Sequence, residues 1–234
     1  MTRHILAIDL GTSALKVALV STAGEVAAAE QDTCQVRLLP GGGAEQDPEQ
    51  WWDLITAASS RLMARAAATA GSVVAVACTA QWSGTVPVDE RCQPLRDAII
   101  WMDSRGAPYV RRITRGAVNV QGYGVGKLVR WLRTTAGIPA RSGKDPIAHI
   151  LWLKHEEPET YRRAHLFLEP KDWLNARLTG RPAASFDSIA LHWVTDNRHP
   201  DRIRYDPGLL RLAGIEESRL PEQLEATDIL GPLS

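Results

Sequence analysis

The residues best suited to chemistry lie near the start of the chain, in the segment Asp9-Leu10-Gly11-Thr12-Ser13. Its carboxylate precedes a glycine-led turn, whose backbone N–H groups and hydroxyls can face a single polyanion. Asp9 is therefore a candidate ligand of hydrated Mg²⁺, an ion that keeps several of its waters when it binds to protein. Taken alone, the motif fits an ordinary hairpin turn capped by Asp9 equally well. The candidate phosphate contacts are Gly11, Thr12, Ser13 and Lys16, of which Lys16 could be turned away by strand alternation.

The sequence around this turn predicts the strands that position it. Residues 5–10 and 15–20 are mostly apolar and favour two strands, one on each side of the turn. Residues 26–36 can supply a third strand after a second turn. The first part of the chain is therefore predicted to be a three-stranded antiparallel meander.

A helix is predicted directly after the meander. Asp47 is expected to cap it, Pro48 occupies its first position, and Gln50 is placed to bond back to the cap. Apolar residues then recur at helical spacing, and Gly71 is the expected stop. The spacing predicts one buried face.

The rest of the chain predicts further strands and then a helix-rich region. Residues 73–78 are apolar throughout, which is typical of a strand buried on both faces, and they lead into a polar loop at 79–84. Residues 85–89 and 98–101 are predicted to form a hairpin, followed by a strand that ends at Asp103. Together these elements predict an α/β domain with an antiparallel meander, parallel strands and a helix-rich insertion. The predicted helices lie near 105–115, 125–136, 146–156 and 170–179.

Composition restricts the classes of partner. The 234 residues include 44% apolar residues, enough for a substantial core. Basic and acidic residues number 27 each, so the formal net charge is zero and nothing indicates nucleic acid or a membrane as a partner. The first twenty residues do not resemble a signal peptide, so a cytoplasmic location is expected. The three cysteines are widely spaced and are expected to be reduced.

The chain resembles the FGGY carbohydrate kinases, and especially their xylulokinase-like branch, in several segments that occur in the family's order. Asp9–Ser13 is similar to the Asp-x-Gly-Thr-Ser motif that ends the family's first strand. Residues 81–84 (Gln-Trp-Ser-Gly) stand in place of a sugar-contacting Gln-Met-His-Gly loop. Further similar segments are the helix start at 45–52, the Trp-x-Asp-x-Arg segment at 101–105, the Leu-Trp segment at 151–159 and the Pro-Lys-Asp segment at 169–174.

This resemblance implies a ribonuclease-H-like, actin-like ATPase fold and ATP-dependent phosphorylation of a sugar or polyol hydroxyl. Asp9 would act in catalysis by organising Mg²⁺ and a water near the transferred phosphoryl group. Polar side chains suit sugar hydroxyls, because a sugar that lacks a matching hydroxyl leaves buried groups unpaired. An indole face suits a sugar's C–H surface. The implied sugar contacts are Gln81, Trp82, Ser83, Trp101, Asp103 and Arg105.

The resemblance also implies a partner domain. The family's catalytic base, in a Gly-x-x-Asp segment, and its adenine pocket belong to a carboxyl-terminal domain that is expected to follow residues 227–232. Residues 1–234 are thus expected to be one amino-terminal domain, inactive without the second. Alternative interpretations are a stand-alone sugar-binding or regulatory lobe without catalysis, and an actin-like or chaperone-type ATPase. Whether the chain forms a homodimer stays open.

Some features depart from the family or have simpler interpretations. Trp82-Ser83 replaces Met-His, so xylulose is not assigned as the substrate, and His149 stands where the family has Lys. Residues 122–144 resemble an added helix and loop, and the glycines at 122–126 fit a turn that starts a helix. The stripe formed by Arg111, Arg112 and Arg115 is interpreted as a solvated face.

Overall fold

The computed structural model describes residues 2–66 and 70–234, in two compact units. Unit 1 comprises Met1–Val36 and Gln46–Gln81, and unit 2 comprises Arg37–Glu45 and Trp82–Ser234. In the described ranges no helix is long and apolar enough to cross a membrane.

The strands are β1 (His4–Leu10), β2 (Ala14–Ser21), β3 (Val26–Thr33), β4 (Arg37–Leu39), β5 (Gly43–Gln46), β6 (Val73–Ala80), β7 (Val86–Val88), β8 (Ala98–Ile99), β9 (Asn119–Val120), β10 (Tyr123–Gly124), β11 (Leu166–Leu168), β12 (Ala183–Ser185), β13 (Thr195–Asp196), β14 (Arg204–Tyr205) and β15 (Glu222–Leu224). The helices are α1 (Pro48–Arg65), α2 (Ala107–Thr114), α3 (Val125–Thr135), α4 (Pro146–Glu156), α5 (Pro158–Arg163), α6 (Pro170–Thr179), α7 (Phe186–Ile189) and α8 (Pro207–Ala213).

Unit 1 is built on a four-stranded sheet with the order β3-β2-β1-β6. The first three strands form the predicted antiparallel meander, and β6 pairs with β1 in parallel. Alternate residues of β2 (Leu15, Val17 and Leu19) are fully buried, and α1 packs against β2 and β3. The period-2 pattern of the strand therefore places one sheet face in the core.

The predicted start of α1 is confirmed, but two details differ. The Asp47 carboxylate accepts the Glu49 N–H at 2.9 Å, as an N-cap should. The Gln50 side chain does not bond back to this cap, because its oxygen accepts the Gln35 N–H at 3.2 Å. The helix ends at Arg65, earlier than expected, and Gly71 lies in a short 3₁₀ turn that leads into β6.

The expectation that residues 73–78 are buried on both faces was wrong. β6 pairs with β1 alone among the described strands, so it is an edge strand. Its residues are half-buried or exposed, and Val74 keeps 43% of its surface accessible. A run of apolar residues indicates that a segment favours an apolar environment. It does not indicate which other strands or helices will cover its faces.

Unit 2 contains small sheets whose pairing differs from the prediction. Thr85 and Ile99 form one antiparallel bridge, but the main partner of β7 is β11, with Val86 opposite Leu168. β8 instead joins β4 and β5 in a three-stranded sheet. It ends at Ile99, and the chain turns between Ile100 and Asp103, where the Asp103 N–H donates to the Ile100 carbonyl.

The predicted helices of unit 2 are confirmed, with shifts of at most a few residues. α2 starts at Ala107, two residues later than predicted and directly after Gly106, whereas α4 spans the predicted residues Pro146–Glu156. Residues 122–144 are an integral part of the unit, because the Trp131 side chain is fully buried and its indole N–H donates to the Trp193 carbonyl. The glycines at 122–126 form a turn that starts α3, as expected.

Candidate functional site

The carboxylate and the ammonium group of the first motif lie side by side. Asp9 and Lys16 are direct cross-strand partners, so their side chains share one face of the sheet. Lys16 Nζ lies 3.5 Å from Asp9 Oδ2, and both side chains are about half exposed. Strand alternation therefore turns Lys16 toward Asp9 rather than away from it.

The turn between β1 and β2 has a backbone that requires glycine. The Gly11 N–H donates to the Ala14 carbonyl at 3.0 Å, and a Cβ on Gly11 would lie 2.8 Å from that oxygen. The Ser13 carbonyl accepts the Cys34 N–H at 3.0 Å, which ties the other side of the turn to the chain beyond β3. Gly11 thus acts through the shape of the turn, since its own N–H is used within it.

Two glutamines connect this turn to the end of β6. The Thr12 hydroxyl donates to Gln81 Oε1 at 3.0 Å, and Gln81 Nε2 donates to Gln46 Oε1 at 2.6 Å. Gln46 is fully buried and donates to the carbonyls of Thr12 and Gln35. Unit 1 therefore brings Asp9, Lys16, the turn and Gln81 together, and Gln46, which sequence reasoning had treated only as part of a helix start, holds them.

The loop after Gln81 continues in unit 2 with a constrained backbone. Ser83 has φ of 64°, a left-handed conformation that is uncommon outside glycine, and its hydroxyl donates to the Lys144 carbonyl at 2.7 Å. The Gly84 N–H donates to Glu169 Oε2 at 2.9 Å. Trp82 remains 52% exposed. The loop is thus anchored on both sides while its indole faces outward.

Glu169 is the buried anchor of this loop. Its side chain is almost inaccessible, and burial raises the pKa of its carboxyl well above the usual value, although the Gly84 N–H opposes that shift. Sequence reasoning missed this role, since Glu169 appeared there only as the residue before Pro170. A carboxyl at a helix start is a common sequence feature, and only the fold brings it to the loop.

The predicted sugar contacts Asp103 and Arg105 bind each other. Asp103, 1% exposed, accepts N–H groups from Ala44 at 2.9 Å and from the Arg105 backbone and Nε at 2.8 Å each. Arg105 also bonds Glu45 at 2.5 Å and lies with its Cζ 3.9 Å from the ring centroid of Trp152. These groups therefore form a largely buried network within unit 2.

A buried histidine lies beside this network. His149 is 1% exposed, and its Nδ1 is 3.2 Å from the Thr85 hydroxyl. Burial lowers the pKa of His149 to about 4, although Asp103 opposes the shift. The imidazole is therefore neutral at pH 7 and acts as a packed polar group. Within the part of the chain that the structure describes, no three His, Cys, Asp or Glu residues cluster as a metal site would require.

The second predicted indole, Trp101, has a cationic neighbour. Trp101 is 42% exposed, and Lys144 Nζ lies 5.7 Å from its ring centroid, within cation–π range. The Lys144 carbonyl also accepts the Ser83 hydroxyl, so one residue contacts both loops. Sequence reasoning missed Lys144, and the only available signal was its place in a glycine-containing turn before α4.

Comparisons with known proteins identify the family of the chain. The family model described as "FGGY family of carbohydrate kinases, N-terminal domain" matches residues 4–234. The xylulose kinase of Bacillus subtilis (strain 168) is 28% identical over 232 residues, which are 99% of this chain and 43% of that protein. The chain thus spans less than half the length of the curated relatives it matches.

Solved structures show the same fold. The gluconate kinase of Lactobacillus acidophilus superposes with a TM-score of 0.83 at 22% identity, over 100% of this chain and 44% of that one. The ligand-bound xylulose kinase of the same organism superposes with a TM-score of 0.83 at 21% identity, over 99% of this chain and 44% of that one. The expected α/β fold of the actin-like ATPase class is confirmed.

Proposed function

The chain belongs to the FGGY family of carbohydrate kinases, as an N-terminal domain, and from this premise we propose that it binds the sugar and one end of the nucleotide phosphates in an ATP-dependent kinase. The acceptor in this proposal is a sugar or polyol hydroxyl. Its exact identity stays open, because Trp82-Ser83 departs from the pattern of the xylulokinase branch.

The contact between Thr12 and Gln81 carries the proposal. It joins the turn suited to phosphate with the residue that opens the sugar loop, through one 3.0 Å hydrogen bond inside unit 1. A kinase must place the transferred phosphoryl group next to the acceptor hydroxyl, and most of its rate enhancement comes from such positioning. A direct link between the two segments meets this requirement.

The groups of the turn have distinct roles in this proposal. Lys16 would hold a phosphate oxygen and the Ser13 hydroxyl would donate to the same phosphate, while the Thr12 hydroxyl would keep its hydrogen bond to Gln81. A single carboxylate, Asp9, fits Mg²⁺ that keeps most of its waters, since it would hold the ion through them. When bound, Mg²⁺ would neutralise charge on the nucleotide phosphates.

The sugar contacts divide into exposed and buried groups. Trp82 and Trp101 offer exposed indole faces, and Ser83 lies in the anchored loop between Gln81 and Gly84. We assign Arg105 a share in sugar binding through the guanidinium N–H groups that Asp103 and Glu45 leave unused, and Asp103 an indirect share, because it holds Arg105 in place. A second domain would supply the base and the adenine pocket, so it is the proposed partner.

We predict that sugars of one chemical class raise the thermal stability of the purified chain. A screen of pentuloses, hexuloses, polyols and gluconate by thermal shift tests this, because a ligand that binds only the native state raises Tm. The variant Trp82→Ala should weaken the binding by between about twofold and tenfold, as expected for loss of one aromatic contact. The control variant Leu132→Ala, which truncates another exposed apolar side chain, should bind like the wild type. If no sugar shifts Tm, this lobe does not bind sugar.

We also predict that a polypeptide of residues 1–234 does not turn over MgATP and the sugar found in that screen. The base and the adenine pocket would be missing, so the reactants would not be held in line. A coupled assay for ADP release measures this, and Asp9→Asn serves as a control for contaminating kinases. Steady turnover by the wild-type polypeptide that Asp9→Asn abolishes would refute the two-domain proposal but leave sugar binding intact.

A further inference from the structure

The charge of the chain is unevenly distributed. From Ser104 to Lys144 the sequence contains no aspartate or glutamate, but it contains seven arginines and two lysines. The whole chain has a formal net charge of zero, so the compensating acids lie outside this segment. Such a local excess creates a positive potential over the surface that carries it.

Four of these arginines surround one concavity in unit 2. Arg111, Arg112 and Arg115 come from the end of α2, and Arg141 comes from the loop before α4. The cavity that they line, together with Asn119 and Gly122, has a volume of about 600 Å³. We call it the arginine pocket, defined by these six residues. No carboxylate lines it, and in the described part of the chain none of the four arginines forms an ion pair.

Backbone contacts hold two of the guanidinium groups at the pocket wall. Arg111 Nε donates to the Arg141 carbonyl at 3.1 Å, and the Arg141 guanidinium donates to the Gly122 carbonyl. Gly122 has φ of 87°, and a Cβ there would lie 2.5 Å from Arg141 Cζ, so the close approach depends on glycine. A guanidinium has five N–H groups, and each of these two keeps donors for a ligand.

The other two arginines have no role in holding the fold together. Arg112 and Arg115 are exposed, and in the described part of the chain their side chains make no hydrogen bond to protein. The α2 dipole favours cations near its C-terminus, but that effect falls off within the last turn. It does not account for Arg141, which arrives from a separate segment and lines the same concavity.

We propose that the arginine pocket binds a small phosphate ester, such as a phosphorylated sugar. Arginine forks match phosphate oxygens in a bidentate manner, and four cations around one cavity repel one another until an anion is bound. The volume suits a small metabolite. The pocket shares no residue with the phosphate turn or the sugar loops, so the proposal does not depend on the proposed kinase function.

A binding experiment with one double variant and one single control variant tests the proposal. Isothermal titration with glucose 6-phosphate and with inorganic phosphate, at constant ionic strength, should give saturable binding to the wild-type chain. The double variant Arg112→Gln/Arg115→Gln should weaken it at least about tenfold, since it removes two charge-assisted contacts. Arg133→Gln removes an exposed arginine of the same acid-free segment outside the pocket, so it should weaken binding less than twofold.

The outcomes separate the proposal from its rivals. Equal binding by the double variant and the wild type would place the phosphate elsewhere, for example at the phosphate turn, and would overturn the proposal. Equal weakening of phosphate binding in Arg133→Gln would also overturn the proposal, because it would indicate general charge attraction. Binding of an acidic peptide without binding of either phosphate probe would also overturn it, in favour of a protein partner. If the double variant is destabilised, Arg112→Lys/Arg115→Lys keeps the charge, and loss of affinity there still supports bidentate recognition.

Discussion

Replacing Asp103 by alanine is expected to lower the free energy of unfolding by about 3–5 kcal/mol, the usual cost of removing one partner from a buried ion pair. The Asp103 carboxylate accepts three N–H groups, from Ala44 and from the backbone and side chain of Arg105. Without it, these donors stay buried and lose their acceptor. Urea unfolding of the purified chain measures the change.

Two further variants show whether the buried network causes this loss. Asp103→Asn keeps one acceptor oxygen and should cost less than the alanine variant. Glu159→Ala removes a surface partner of Arg162, whose side chain is 68% exposed, and should change the free energy by at most about 0.5 kcal/mol. A loss for Asp103→Ala no larger than that for Glu159→Ala would contradict the role assigned to the network.

The second large effect is expected in the pH dependence of stability. Asp172 is 1% exposed and accepts the Ser188 hydroxyl at 3.0 Å. Burial raises the pKa of its carboxyl to about 8, although Lys171 opposes the shift. Between about pH 4 and pH 8 the folded chain keeps this proton while the unfolded chain has lost it. The contribution of Asp172 to the free energy of unfolding is therefore greatest at low pH. Within this pH range it falls by about 1.4 kcal/mol for each pH unit as pH rises.

The variant Asp172→Asn should remove that decline. The amide is neutral at every pH and can still accept from Ser188, so the variant gains stability over the wild type as pH rises from 5 to 8. Urea unfolding at each pH gives the difference in the free energy of unfolding between variant and wild type. The contributions of the other titrating groups cancel in this difference. As a control of opposite sign, Asp196→Asn should act below about pH 4, since a hydrogen bond from Arg198 lowers the pKa of Asp196 to about 2. A constant difference between Asp172→Asn and the wild type would mean that the carboxyl titrates normally.

Local signals predicted the helices of unit 2 well. Pro146 and Pro170 stand at the first positions of α4 and α6, where proline lacks an N–H that the helix would leave unpaired anyway. Gly180 follows α6 with φ of 72°, the left-handed conformation that ends many helices. These signals act within a few residues, so they can be read without the fold.

Pairing between distant segments could not be predicted in this way. β7 was expected to pair with the next apolar run, yet its main partner, β11, follows almost eighty residues later. Short apolar strands carry little information about register or partner. The half-exposed position of β6 escaped prediction for the same reason, since burial depends on which strands arrive beside it.

The candidate site shows the same division. The sequence alone determined that Gly11, Thr12 and Ser13 form a turn directly after the strand that carries Asp9, because alternation and glycine constrain neighbouring residues directly. Only the tertiary structure decided that Gln46 and Gln81 hydrogen-bond to each other beside this turn and that the Asp103 carboxylate pairs with Arg105. It also decided that Arg141 lines the same pocket as the arginines of α2. A hydrogen bond or an electrostatic contact requires atoms within a few ångströms, and the folded chain, rather than spacing along the sequence, sets those distances.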